Sequence, residues 1–123
     1  MLWRRKGSPC VLYACVAKSC KSKTRCISLT AVDVLTNDAL VNLLVDPDGP
    51  ISCWLTHLTG ITKKDLHRAW RQRAVLTGFK GARDKLFEHI DSRTILVGHA
   101  LVNDLRVLRM HMTVLTVLDD APH

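Results

Sequence analysis

The sequence predicts an α/β domain with a mixed sheet and three layers. Three observations lead to that reading. Short runs of aliphatic and β-branched residues fill positions 11 to 45 and are separated by turn-forming residues. From Thr62 onward the apolar spacing becomes that of amphipathic helices. Between Thr94 and Leu118 strand, helix and strand patterns follow one another, the order of a crossover onto a parallel neighbour. A chain of 123 residues, 47% of them hydrophobic, has material for one core and no second domain. The expected division is a basic arm over residues 1–10 and the folded domain over 11–123.

Residues 11 to 17, VLYACVA, are apolar on both faces, as in a central strand covered on each side. Residues 26 to 35, CISLTAVDVL, form a second strand. Thr36, Asn37 and Asp38 supply turn chemistry, and residues 39 to 45 resume the apolar pattern, so the two strands pair as a hairpin. Asp46-Pro47-Asp48-Gly49-Pro50 ends the run, because proline cannot donate to a sheet ladder. Thr62 opens a helix, with Asp65 placed for a capping box and Leu66, Ala69 and Trp70 on one apolar face. Gly78 and Gly81 separate it from a second helix over residues 79 to 90, whose buried stripe is Phe79, Ala82, Leu86, Phe87 and Ile90. A strand over 94–97, a helix over 101–110 and a strand over 113–118 complete the order.

Charge is distributed unevenly. Seven bases, Arg4, Arg5, Lys6, Lys18, Lys21, Lys23 and Arg25, precede the first acid, Asp33, and supply the whole formal charge of +7. Either they make a patch attractive to phosphates or they are a solvated arm. Five cysteines, Cys10, Cys15, Cys20, Cys26 and Cys53, lack C-x-x-C spacing, which favours free thiols in a reducing compartment. A zinc site from Cys15, Cys20, Cys26 and a histidine is the minor alternative. The apolar run after Arg4, Arg5 and Lys6 is a buried strand and not a secretory signal, and no stretch approaches the roughly 20 apolar residues of a membrane span. The expected setting is intracellular, in nucleus or cytoplasm.

The most informative stretch is Ile95 to Leu105, ILVGHALVNDL, a short strand ending in Gly98-His99 and followed by a helix whose apolar sequence carries one acid, Asp104. Ligands of open α/β sheets collect at such strand ends, and an acid buried in apolar surroundings calls for a metal or another partner. Together with His57-Leu58-Thr59-Gly60-Ile61-Thr62, this stretch resembles the second exonuclease motif of the Rex-like RNA exonucleases, the DEDDh branch of the RNase H-like fold. The resemblance covers roughly residues 11 to 120. It implies an RNase H-like three-layer fold, with its C-terminal part missing here, and RNA handled from the 3' end with magnesium or manganese. It assigns Asp104 as a catalytic and metal-binding acid and places His99, Asn103 and His57 beside the substrate.

That chemistry needs two divalent ions about 3.5 to 4 Å apart between carboxylates. The family's first strand supplies an Asp and a Glu two residues apart, D-C-E-M, because such side chains leave a strand on one face. Here the matching residues are Ala14-Cys15-Val16-Ala17: the cysteine is kept and both carboxylates are replaced. The family's last motif, a His followed some residues later by an Asp, has no counterpart up to His123. His57 stands where the family carries an arginine, which weakens phosphate holding. Asp33, Asp46 and Asp48 are the other acids within reach, and each reads first as a solvated turn residue.

Lys63, Lys64, Arg68, Arg71 and Arg73 surround Trp70, the composition of a surface for single-stranded nucleic acid. The favoured reading is a solvated helix face whose Trp70 packs into the core. The expected function is an exonuclease-like nucleic-acid-binding domain, RNA before DNA, without catalysis and without tightly held magnesium or manganese. The alternatives are an active exonuclease known here as a truncated or mis-joined chain, and a basic interaction protein that binds nucleic acid or an acidic partner.

Overall fold

The computed structural model describes residues 8–19, 21, 23–99 and 101–110, together with the backbone of 116–119. Three long strands come first, β1 (Cys10–Ser19), β2 (Thr24–Asp33) and β3 (Ala39–Asp46), paired antiparallel in sequence order. Alternation drives this meander: Cys10, Leu12 and Ala14 of β1 are buried while Val11 and Tyr13 between them are not. The ladder is interrupted once near its middle. Cys15 lies opposite Ser28 and Val16 opposite Cys26, so Ile27 is an extra residue on β2, a β-bulge.

A short strand, β4 (Ile51–Cys53), pairs antiparallel with the end of β1, and α1 (Thr56–Thr59) is a single turn. Helix α2 (Lys63–Arg71) begins as its sequence requires: the Thr62 hydroxyl accepts from Asp65 N, and the Asp65 carboxylate accepts from Thr62 N at 2.9 Å. β5 (Val75–Thr77) adds to β3 in parallel and leads into α3 (Gly78–Phe87). β6 (Ile95–Gly98) lies parallel to β1 on the side away from β2. After α4 (Leu101–Val107), β7 (Thr116–Asp119) lies parallel to β6. The mixed seven-stranded sheet runs β5-β3-β2-β1-β6-β7, with β4 beside β1.

The core sits between this sheet and helices α3 and α4. Leu12, Leu29, Ala31, Val41 and Val45 of the sheet meet Ala82, Leu86, Leu101 and Leu105 of the helices. The three-strand opening, the hairpin and the α2 cap agree with the sequence expectation. Several details differ. Gly78 and Gly81 do not separate helices; both lie in α3, and Gly78 opens it at φ 65. Only glycine fits there, because an added Cβ would strike the Asp48 carboxylate. That carboxylate accepts from Phe79 N at 2.9 Å, so the turn after β3 caps α3 from outside the helix's own sequence, where Thr77 makes no side-chain cap.

The first half of β1 is covered on one face, since Val11 is 39% and Tyr13 55% exposed, whereas Ala17 farther along that second face is buried. Phe87 is likewise exposed on α3. Trp70 is 49% exposed and does not pack into the core, which α2 meets through Leu66 and Ala69. β4, α1 and β5 have no counterpart in the element order expected from the sequence. The basic residues Arg4, Arg5 and Lys6 lie outside the described residues.

Candidate functional site

Strand alternation and the bulge together aim Ala14, Val16 and Cys26 at the same side of the sheet, beneath α4. Asp104 enters from the first turn of α4 and is 9% exposed. These four residues line a cleft of about 530 Å³, with Asn103, Arg106, Val107 and Arg109 along α4 and its end, Lys23, Thr24 and Arg25 on the β2 side, and Asp48 and Phe79 at the far wall. The volume suits a nucleotide-sized ligand.

Four bases, Lys23, Arg25, Arg106 and Arg109, line the cleft against two acids, Asp48 and Asp104. Arg109 takes a left-handed backbone, φ 52, and lays its guanidinium 4.2 Å from the centre of the Phe79 ring. Arg83 approaches the same ring at 5.5 Å and donates to the Arg109 carbonyl at 3.3 Å. Arg25 Nε is shielded from solvent and has no hydrogen-bond partner in the structure. Lys23 is set by a tight turn: its N–H donates to Ser19 Oγ at 3.2 Å, and Ser19 N donates to the Lys23 carbonyl at 2.9 Å. On the cleft floor, burial pushes the Cys26 thiol up to about 12, and Asp104 adds to the shift by repelling a thiolate.

The structure brings Asp104 and Asn103 together in this cleft. His99, exposed just after β6, and His57, exposed in α1, are not among its lining residues. Asp33 is not a solvated turn acid: it is 1% exposed, and its carboxylate accepts from Leu35 N and Thr36 N. Asp48 is an exposed turn acid as expected, and its carboxylate also serves as the external cap of α3. Cys15 pairs with Ser28 and follows Tyr13 by two residues on the sheet face opposite Cys26. Its hydrogen bond with Tyr13 raises the phenol's pKa. That separation rules out a shared zinc site for Cys15 and Cys26, and Cys20 lies outside the described residues. Sequence reading did not place Arg106, Arg109 and Phe79 in the cleft, and it marked Lys23 only as part of a basic run attractive to phosphates; a further signal was Asn103 and Arg106 at helical spacing beside Asp104.

Comparison with known proteins bears on this cleft. No family model matches the chain. A segment of 83 residues, 67% of the chain, is 32% identical to RNA exonuclease 3 of Candida albicans, and 85 residues, 68% of the chain, are 39% identical to small RNA degrading nuclease 3 of Arabidopsis thaliana. The chain belongs to the Rex-like RNA exonucleases. It spans 18% and 10% of the length of those two relatives. The Rex-like domain also superimposes on the Saccharomyces cerevisiae PAN2 pseudoubiquitin-hydrolase–RNase module with a TM-score of 0.69 at 17% identity, covering 92% of this chain and 20% of that one. The likeness shows the RNase H-like fold.

A Rex-like exonuclease site takes divalent metal, and the residues present do not fit a pair of such ions. Ala14 and Val16 offer only hydrocarbon, and the sulfur of Cys26 is a soft donor unsuited to magnesium, which takes hard oxygen ligands. Asp48 is engaged by the α3 backbone. Among the described residues, no three His, Cys, Asp or Glu side chains converge as a metal site. No described helix is long and apolar enough to cross a membrane.

Proposed function

We propose that this chain is an exonuclease-like RNA-binding domain that does not hydrolyse its ligand. The observation that carries the reading is the pairing of Asp104 with Ala14 and Val16 in one cleft. Two dications repel strongly at a few ångströms and need several carboxylates to offset their charge, so hydrolysis of a phosphodiester by two metals has no basis in this donor set. The cleft itself is retained, and its excess of bases attracts a polyanion.

RNA is preferred over DNA because the relatives are named RNA exonucleases or small RNA degrading nucleases. Asn103 contributes an amide beside the ligand at the mouth of the cleft, and Asp104 remains as the inherited acid. A nuclear or cytoplasmic location accords with such a ligand. The test is incubation of the purified protein with labelled single-stranded RNA and magnesium or manganese. The expected result is RNA of unchanged length. Shortening that disappears in Asp104→Ala would overturn the proposal.

A further inference from the structure

We infer that the cleft binds RNA phosphate directly through Lys23, Arg106 and Arg109, with no divalent ion between protein and ligand. The inference rests on the RNA-binding reading above and specifies its chemistry. In a two-metal site, acids hold cations and the cations meet the phosphate. Here the opposing acids are replaced by Ala14 and Val16, and the protein's own bases outnumber the acids of the cleft, so its walls are positive without bound ions.

The bases are also held in useful positions. Arg109 has a left-handed backbone and is held by the Phe79 ring, over which its guanidinium carbon lies at 4.2 Å, and its guanidinium supplies the N–H donors that a phosphate takes. Lys23 is placed by the Ser19 turn, and Arg106 lies one helical turn beyond Asn103 on the exposed side of α4. These come from three separate elements, the β1–β2 turn, α4 and the segment after it, and they converge on one volume.

The experiment measures binding of a short labelled single-stranded RNA to the full chain by fluorescence anisotropy, in magnesium and in EDTA, across a salt series. Equal affinity in both is expected. Neutralising two exposed bases together, Lys23→Gln with Arg106→Gln, should weaken binding roughly tenfold and reduce the slope of log affinity against log salt by about 1.4, ~0.7 for each lost phosphate contact. An unchanged melting temperature would show that this variant is folded. Asp104→Asn should bind as well as the parent or better, because it removes a repulsive charge. Affinity that collapses in EDTA or in Asp104→Asn would mean a metal-held phosphate and would overturn the inference while leaving RNA binding in place. Binding indifferent to the double substitution would put the RNA elsewhere, the basic face of α2 beside Trp70 being the first place to look, and would also overturn it. Absence of RNA binding in every condition would remove the proposed function itself.

Discussion

Ala14 and Val16 leave the sheet on the side where Asp104 descends from α4, and what they lack can be restored chemically. In the variant carrying Ala14→Asp and Val16→Glu, two new carboxylates would crowd Asp104 in a poorly solvated place. The variant should lose roughly 2 kcal/mol or more of stability in EDTA, about 4 °C of melting temperature per kcal/mol for a chain of this size. Manganese or magnesium should return much of that loss by binding the folded state. A melting temperature insensitive to both metals would show that these positions do not face a common site. Asp65 offers a second test at this scale. Its hydrogen bonds from the Thr62 backbone and hydroxyl, helped by Arg68, hold its carboxyl below the usual range. A lowered folded-state pKa contributes stability above the unfolded value, about 3.9, and loses it as pH falls through the folded value. Replacing Asp65 with Asn should therefore flatten the acid limb of the stability curve below about pH 4, and an unchanged limb would contradict the bond pattern.

Helices α2 and α3 are capped in different ways, and the difference explains what sequence reading could reach. The α2 cap is local, three residues from acceptor to donor, so the spacing of Thr62 and Asp65 is enough to reveal it. Thr62→Ala should cost about 1 kcal/mol in a thermal or urea melt. The α3 cap is Asp48, 31 residues upstream, and no local pattern could reveal it. Without that partner Gly78 reads as a break; with it, a glycine of positive φ is what lets the backbone pass beneath the carboxylate. Gly78→Ala should destabilise more than Asp48→Ala, since it adds left-handed strain and a clash to the same lost bond, and equal losses in the two melts would argue against that contact. β4 and β5, of three residues each, and α1, of four, are too short to show a period. Trp70 misleads for another reason: it lies at the seam between the buried Leu66 side and the basic side of α2, where one turn of helix cannot say which wins.

Over the whole molecule, the meander β1–β3 and the crossovers through α3 and α4 were legible because each buries one regular face. The cleft was legible through Asp104 and Asn103, through Ala14 and Val16 at the positions of the family's metal strand, and through the basic run that holds Lys23 and Arg25. Its bases come from the ends of elements, where apolar periodicity is silent and only the assembled sheet and α4 bring them together. Leu12, at the centre of the sheet and against the helical layer, tests that layer's contribution: Leu12→Ala should lower stability by about 2–5 kcal/mol through lost burial and a residual void. A loss well under 1 kcal/mol would mean that the helices are not packed as described.

The irregularity at Ile27 governs what the cleft can admit. Were β2 paired without interruption, Val16 would face Ile27, and a branched four-carbon chain would fill the space under Asp104. One additional residue takes Ile27 out of register with Val16 and sets a compact thiol opposite it in its stead. The hollow is thus a product of strand slippage, and shortening β2 upstream by one position would be enough to plug it.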